Sequence, residues 1–234
     1  MEVFDKYDAN EYFNKLKKLI QEEISTVSDD TIQNTDIEEL KSYYFEKWKI
    51  QPISLFLDEL SPELTEEKVK RYTHYRTNDE VNYYDGYKIT YSIKFDGDNR
   101  LFHVIPSSRF SQRFHVLHIE DSKEEKYGII TYAIEFTKQE IDGKDKPDFA
   151  RKQFDISFEY IKQTIANLNN DVQQYNNSIQ SVIKYSLEAR KNKADEFVKL
   201  SENLAIPLKT NPYAPNVKPI LLKKNIVKKP EMPK

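Results

Sequence analysis

From Phe154 to Val182 the chain reads FDISFEYIKQTIANLNNDVQQYNNSIQSV. Phe154, Phe158, Ile161, Ile165, Leu168, Val172, Tyr175, Ile179 and Val182 recur at alternating intervals of four and three. This is the a/d spacing of a heptad, and no glycine or proline interrupts it between positions 148 and 204. The spacing predicts a helical segment over 148–206, roughly 80 Å long if unbroken. Past Val182 the seam loosens onto Ser186 and Ala189, then resumes at Phe197 and Leu200. Asn167, Asn169, Asn170, Asn176 and Asn177 are weak helix formers. A break near 169–177, giving a helical hairpin, is therefore the competing reading. The seam has two uses open to it: binding a protein partner or a second copy, or packing on the chain's own sheet.

Upstream the period changes. Tyr87, Ile89, Tyr91, Ile93 and Phe95 alternate with Lys88, Thr90, Ser92, Lys94 and Asp96, the period of a strand with one wet face. Asp96-Gly97-Asp98-Asn99 supplies turn chemistry, and Leu101–Ile105 is expected to return as a strand. Further strands are expected at Val69–Arg76, Phe114–Ile119 and Ile129–Phe136. Short connections between them favour an antiparallel sheet. Nearer the N-terminus, Tyr12, Phe13, Leu16, Leu19, Ile20 and Ile24 form a helical stripe that Asp8 or Asn10 can cap. Thr35 and Glu38 fit a capping box for a second helix with Ile37, Leu40, Tyr44 and Trp48 on its face, stopped by Pro52. The fold class that follows is α+β: N-terminal helices and an antiparallel sheet in a body over 1–147, a long C-terminal helix or helical hairpin, and an extended basic tail over 207–234.

Composition bounds the function. The 234 residues carry a net charge of −3, but 207–234 holds seven lysines against one glutamate and six of the ten prolines. That segment is +6, which leaves −9 on the rest. A mean hydropathy of −0.78 and 32% charged residues leave little core to spare, while 13% aromatics are too many for a disordered chain. The chain lacks cysteine, which removes disulfides and thiol nucleophiles. The acidic start, MEVFDKYDANEYF, has no apolar h-region, and no run of 18 apolar residues occurs, so a cytoplasmic protein without a membrane role is expected.

Chemical motifs are sparse. Of the histidines His74, His103, His115 and His118, the last two are three apart, which on a strand puts them on opposite faces and speaks against a metal pair. Asp96-x-Asp98 resembles a D-x-D metal motif, but a hairpin turn accounts for the same residues. Pro147-Asp148 and Glu66-Glu67-Lys68 do not assemble a PD-(D/E)xK nuclease core, and phosphate-binding glycine loops and G-x-S-x-G are missing. The expectation is no catalytic site, no metal and no cofactor. Lys68, Lys70, Arg71, Tyr72, His74, Tyr75 and Arg76 interleave bases with aromatics and, with Lys223, Lys224, Lys228 and Lys229, form a candidate nucleic-acid surface. The alternative is a solvated edge strand that charge protects from aggregation, followed by a linker.

One resemblance spans most of the chain as scattered short matches. Ile161-Lys-Gln-Thr-Ile165-Ala-Asn167, Asn176-Asn177, Arg190-Lys191, Leu204-Ala-Ile206-Pro207-Leu208-Lys209, Ala214-Pro215 and Lys223-Lys224 form one part of it. Tyr43-Tyr44-Phe45-Glu46-Lys47-Trp48, Phe95-Asp96-Gly97-Asp98, Leu101-Phe102 and Pro106-Ser107 form the other. Together they resemble the N-terminal α+β region of large bacterial proteins that carry a C-terminal restriction-endonuclease-like domain, with Ala205 standing where that pattern has glycine. The nuclease residues have no counterpart here. The resemblance implies a non-catalytic interaction or sensor subunit, or docking module, of an anti-phage or foreign-DNA defence system, acting with a separate effector enzyme.

Overall fold

The seam lies on one uninterrupted helix, not a hairpin. The structure is a computed structural model and describes residues 2–75, 78–108, 114–120, 127–142 and 146–204. In chain order the elements are β1 (Glu2–Val3), β2 (Tyr7–Asp8), α1 (Ala9–Ser25), α2 (Asp29–Asn34), α3 (Ile37–Trp48), β3 (Ser54–Tyr75) and β4 (Asn78–Asp96). A 3₁₀ turn (Asn99–His103), β5 (Val104–Ile105), β6 (Phe114–His115), β7 (His118–Glu120), β8 (Gly128–Thr137), α4 (Lys138–Ile141) and α5 (Lys146–Asn203) follow. The fold is α+β. The segment 207–234 lies outside the described residues. Two compact units divide the chain: residues 1–9 with 51–171, and residues 10–50 with 172 onward.

The first unit is built on an antiparallel sheet of order β3-β4-β8-β7. Its central strand follows the predicted alternation: Tyr91, Ile93 and Phe95 are buried, while Ser92 and Lys94 are exposed. The buried face meets the first half of α5. Tyr91 stacks on Phe154 with ring centroids 4.1 Å apart, and Phe154 on Phe158 at 4.8 Å. Ile161 shares an apolar pocket with Ile93, Ile130 and Tyr132. Two short ladders complete the unit, β1 with β6 antiparallel and β2 with β5 parallel.

Three expectations about strands are corrected here. Leu101–Ile105 is not a returning strand; Asn99–His103 is a 3₁₀ turn because the Asp98 carboxylate caps the Arg100 N–H at 3.2 Å, and only Val104–Ile105 pairs. The strand expected from Val69 begins at Ser54. Pro62, Glu63, Glu66 and Glu67 erase the alternation of its first half, and the register shifts between Phe56 and Ser61. The segment Phe114–Ile119 forms two short strands on either side of Val116-Leu117.

The second unit is helical. α1 buries Tyr12, Phe13, Leu16, Ile20 and Ile24; α3 buries Leu40, Tyr44 and Trp48; the second half of α5 buries Val172, Tyr175, Ile179, Ile183 and Leu187. Phe13 stacks on Tyr175 at 5.0 Å, and the Tyr175 hydroxyl donates to the Trp48 carbonyl. A short helix unforeseen in the sequence, α2, starts where the Ser28 hydroxyl accepts from the Thr31 N–H. Thr35 ends that helix instead of capping the next; Asp36 caps α3, its carboxylate accepting from the Glu38 N–H at 2.9 Å. The buried stripe of α5 leaves the heptad after Ile179. It passes to Ile183 and Leu187, with Val182 half-buried and Ala189 exposed. A straight helix turns every 3.6 residues and drifts about 20° per heptad against a 3.5 repeat, so the buried face slips by one position.

Tyr44 gives this unit a pH signature. Burial, reinforced by the nearby Glu23 charge, pushes its phenol up to about 12. A raised acid favours the protonated fold: the stabilisation is whole below pH 10 and drains as pH rises from about 10 to 12. The expected loss across that window is roughly 3 kcal/mol. Tyr44→Phe should flatten this limb of the stability–pH curve, measured by urea denaturation.

Candidate functional site

The polar residues beside the seam bind backbone. In the first unit Asn169 accepts from the Ile53 N–H at 2.9 Å and donates to the Ile53 carbonyl at 2.8 Å. Asp171, itself buried, accepts from both the Ser107 N–H (2.8 Å) and the Ser107 hydroxyl (2.6 Å), and Asn167 donates to the Ser108 carbonyl. In the second unit Asn176 holds Ile50 the way Asn169 holds Ile53, at 2.9 and 2.8 Å. Arg190 donates to the Val27 carbonyl at 2.8 Å and pairs with Asp29 at 2.5 Å. Three of the five asparagines that spoke for a break, Asn167, Asn169 and Asn176, are thus clamps on non-repetitive backbone, and their fit offsets their weak helix propensity. Sequence reasoning missed this role. Its only trace was polar residues clustered on a helix whose seam never faltered.

Of the nine candidate partner-binding residues, Phe158, Ile161, Ile165, Leu168, Val172, Tyr175 and Ile179 are at most 6% exposed within this single chain, and Phe154 and Val182 are half-buried. They fill cores. The apolar stripe that stays in solvent lies further on: Phe197, Leu200 and Leu204 are 56%, 55% and 57% exposed. Their spacing of three and four places them on one side of the last turns of the helical run.

The basic strand lies beside an acidic one. β3 and β4 pair through Tyr75↔Asn78, whereas β4 and β8 part after Gly86↔Thr137. The end of the hairpin is therefore a two-stranded ribbon. Lys68 sits opposite Asp85 and bonds it at 2.6 Å, which holds the Asp85 carboxyl below its usual range. Arg71 makes a paired bond to Glu140, 2.8 and 3.2 Å, and also donates to the Glu135 carbonyl. The guanidinium keeps Glu140 ionised to lower pH than an ordinary glutamate. Tyr72 lies in β3 opposite Val81. Lys70 is exposed. From Val69 to Asp85 the charges cancel: Lys70, Arg71 and Arg76 against Asp79, Glu80 and Asp85. Arg76, Lys223, Lys224, Lys228 and Lys229 lie outside the described residues.

Both carboxylates of the D-x-D motif have structural work. Asp96 accepts from the Gly97 N–H and the Gln51 amide, and buried Asp98 caps the 3₁₀ turn while Arg100 grips both its oxygens. Among the described residues no group of three or more histidine or acidic side chains is placed to hold a metal, and no helix is long and apolar enough to cross a membrane. Burial lowers the His103 imidazole, whose Nδ1 is enclosed without a partner.

Comparison of the chain with protein-family models, curated protein sequences and solved structures returned no match.

Proposed function

We propose that this protein is a non-catalytic interaction module that works with an effector enzyme, in keeping with the resemblance to nuclease-bearing bacterial defence proteins. One observation carries the reading: the long helix spends its heptad on its own cores and then presents Phe197 and Leu200 on its final turns, with Leu204 just past its end, each more than half exposed. An apolar stripe at a helix end suits helix-in-groove docking on a partner protein. The stripe immediately precedes the Ala205-Ile206-Pro207-Leu208 stretch, which in the resembled proteins leads toward the nuclease.

The test is coexpression of the full chain with its neighbouring genes, followed by size-exclusion chromatography with light scattering. The expected result is a complex that Phe197→Asp with Leu200→Asp abolishes while thermal stability holds. A complex indifferent to that pair, or no complex, would overturn the reading.

Nucleic-acid binding is the other reading, and the pairing of Lys68 and Arg71 with carboxylates weakens its ribbon half. Any affinity for DNA is expected to reside in the lysines of 207–234. Deleting that segment should then remove binding at about 50 mM salt together with its steep salt dependence, whereas Lys68→Ala should change neither; fluorescence anisotropy measures both.

A further inference from the structure

β3 closes one end of the sheet and pairs only with β4 among the described residues. Pro62, Glu63, Leu64, Thr65 and Glu66 are all exposed along it, as are Lys68 and Lys70. Such an edge is a template for one more strand. From Gly86 toward its turn the hairpin has two strands and, among the described residues, no third, an arrangement of marginal stability alone. A further strand on β3 would support it.

The charges along β3 indicate which strand. Asp58, Glu59, Glu63, Glu66 and Glu67 come first; Lys68, Lys70 and Arg71 follow. A strand that runs from acidic to basic is complementary to itself reversed. We propose that β3 pairs antiparallel with β3 of a second copy of this chain, about a two-fold axis at Glu67. In that register Glu66 faces Lys68 of the second copy, Glu63 faces Arg71, and Thr65 faces Val69, each contact occurring twice by symmetry.

Other registers are poorer. Centring the axis on Glu66 sets Thr65 against Glu67 and loses both ion pairs. Centring it on Lys68 retains one pair, Glu66 with Lys70, and opposes two lysines. Centring it on Val69 pairs Glu67 with Arg71 but sets Lys68 against Lys70. The favoured register has costs: the two Glu67 side chains meet on the axis, each with its own Lys88 at 3.6 Å, and Glu66, Lys68 and Arg71 must be shared with Lys138, Asp85 and Glu140 of their own chain. Charges that guard the edge against indiscriminate strands thereby admit one partner in one register.

The chain has no cysteine, so one introduced thiol reports one position. Residues facing each other on an antiparallel axis have Cα atoms about 4.5–5.5 Å apart, within disulfide range. In the full chain, Glu67→Cys is expected to give a disulfide-linked dimer on mild oxidation, while Tyr83→Cys, exposed on β4 of the same ribbon, stays monomeric. Sedimentation equilibrium should show a dimer for the unmodified chain, at least tenfold weaker in Glu63→Lys and tighter in Glu67→Gln, where the axial repulsion is gone. A monomer at every concentration, or a Glu67→Cys protein that does not cross-link, would overturn the proposal. So would a dimer lost in the Phe197→Asp and Leu200→Asp protein but unmoved by Glu63→Lys, a result that leaves the helix-end reading standing.

Discussion

Asn176→Asp is expected to destabilise the second unit by about 3 kcal/mol at neutral pH, a loss that shrinks when the new carboxyl is protonated. The wild-type amide satisfies both backbone groups of Ile50, a residue only 3% exposed. A carboxylate can still accept from the Ile50 N–H but points its other oxygen at the Ile50 carbonyl. A buried polar group left without a partner costs about 1–3 kcal/mol, and here acceptor–acceptor repulsion is added. Asn176→Ala should cost a similar amount with no dependence on pH, because both groups lose their partner. Urea midpoints at neutral pH and near pH 4 separate the two variants, and hydrogen exchange of the Ile50 amide reads the site directly. A loss under about 1 kcal/mol in both would mean that the clamp does not bear on stability. Asn169→Ala is the parallel test in the first unit, where Ile53 is 2% exposed.

Gly97→Ala is expected to cost about 3 kcal/mol or more. Gly97 has φ +112°, a region that side chains strain to adopt, and a Cβ there would stand 2.2 Å from the Pro52 carbonyl oxygen and 2.9 Å from the Ile53 Cα. Backbone cannot move aside as a flexible side chain can, so strain and collision add. For a chain of this size the loss corresponds to a fall of about 10 °C in melting temperature. Differential scanning calorimetry is the check, with Asp96→Ala as the comparison; it removes a bond to the Gly97 N–H but introduces no clash. Equal melting temperatures for the two variants would show that the turn relaxes.

These two positions also mark where the sequence could and could not be read. Periodicity exposed α5 and the centre of β4 because burial there selects for it: Ile165, Leu168 and Val172 face a core, and so do Ile93 and Phe95. The same logic fails for the first half of β3, an edge strand whose Glu63, Leu64 and Thr65 all face solvent, so nothing enforces alternation. It fails at Leu101 and Phe102 as well. Both are buried in succession, which suits a 3₁₀ turn between layers but mimics a strand in a string of letters. Thr35 and Asp36 are adjacent cap formers, and only the short helix ahead of them, which claims Thr35, decides between them. The asparagines were visible but misread, because propensity describes a residue on an isolated helix and says nothing of a loop brought to it from 59 to 126 positions away. At the basic ribbon the bases were legible; their carboxylate partners on β4 and α4 became visible only with the register.

The clamps carry a consequence for tracing this protein's ancestry. An interior leucine can exchange with isoleucine, valine or phenylalanine at modest cost when total volume is kept, so the letters of the seam are free to drift. An amide that must both give and receive a bond at a fixed backbone has no such substitute. Under selection for this architecture, the lasting signature would be sparse and polar: Asn167, Asn169, Asp171, Asn176 and Arg190, together with Pro52, Gly97 and Ser107 in the loops. A search pattern weighted on those few positions and their spacing, and tolerant of almost any apolar residue between them, is the one suited to recover distant descendants of the same fold.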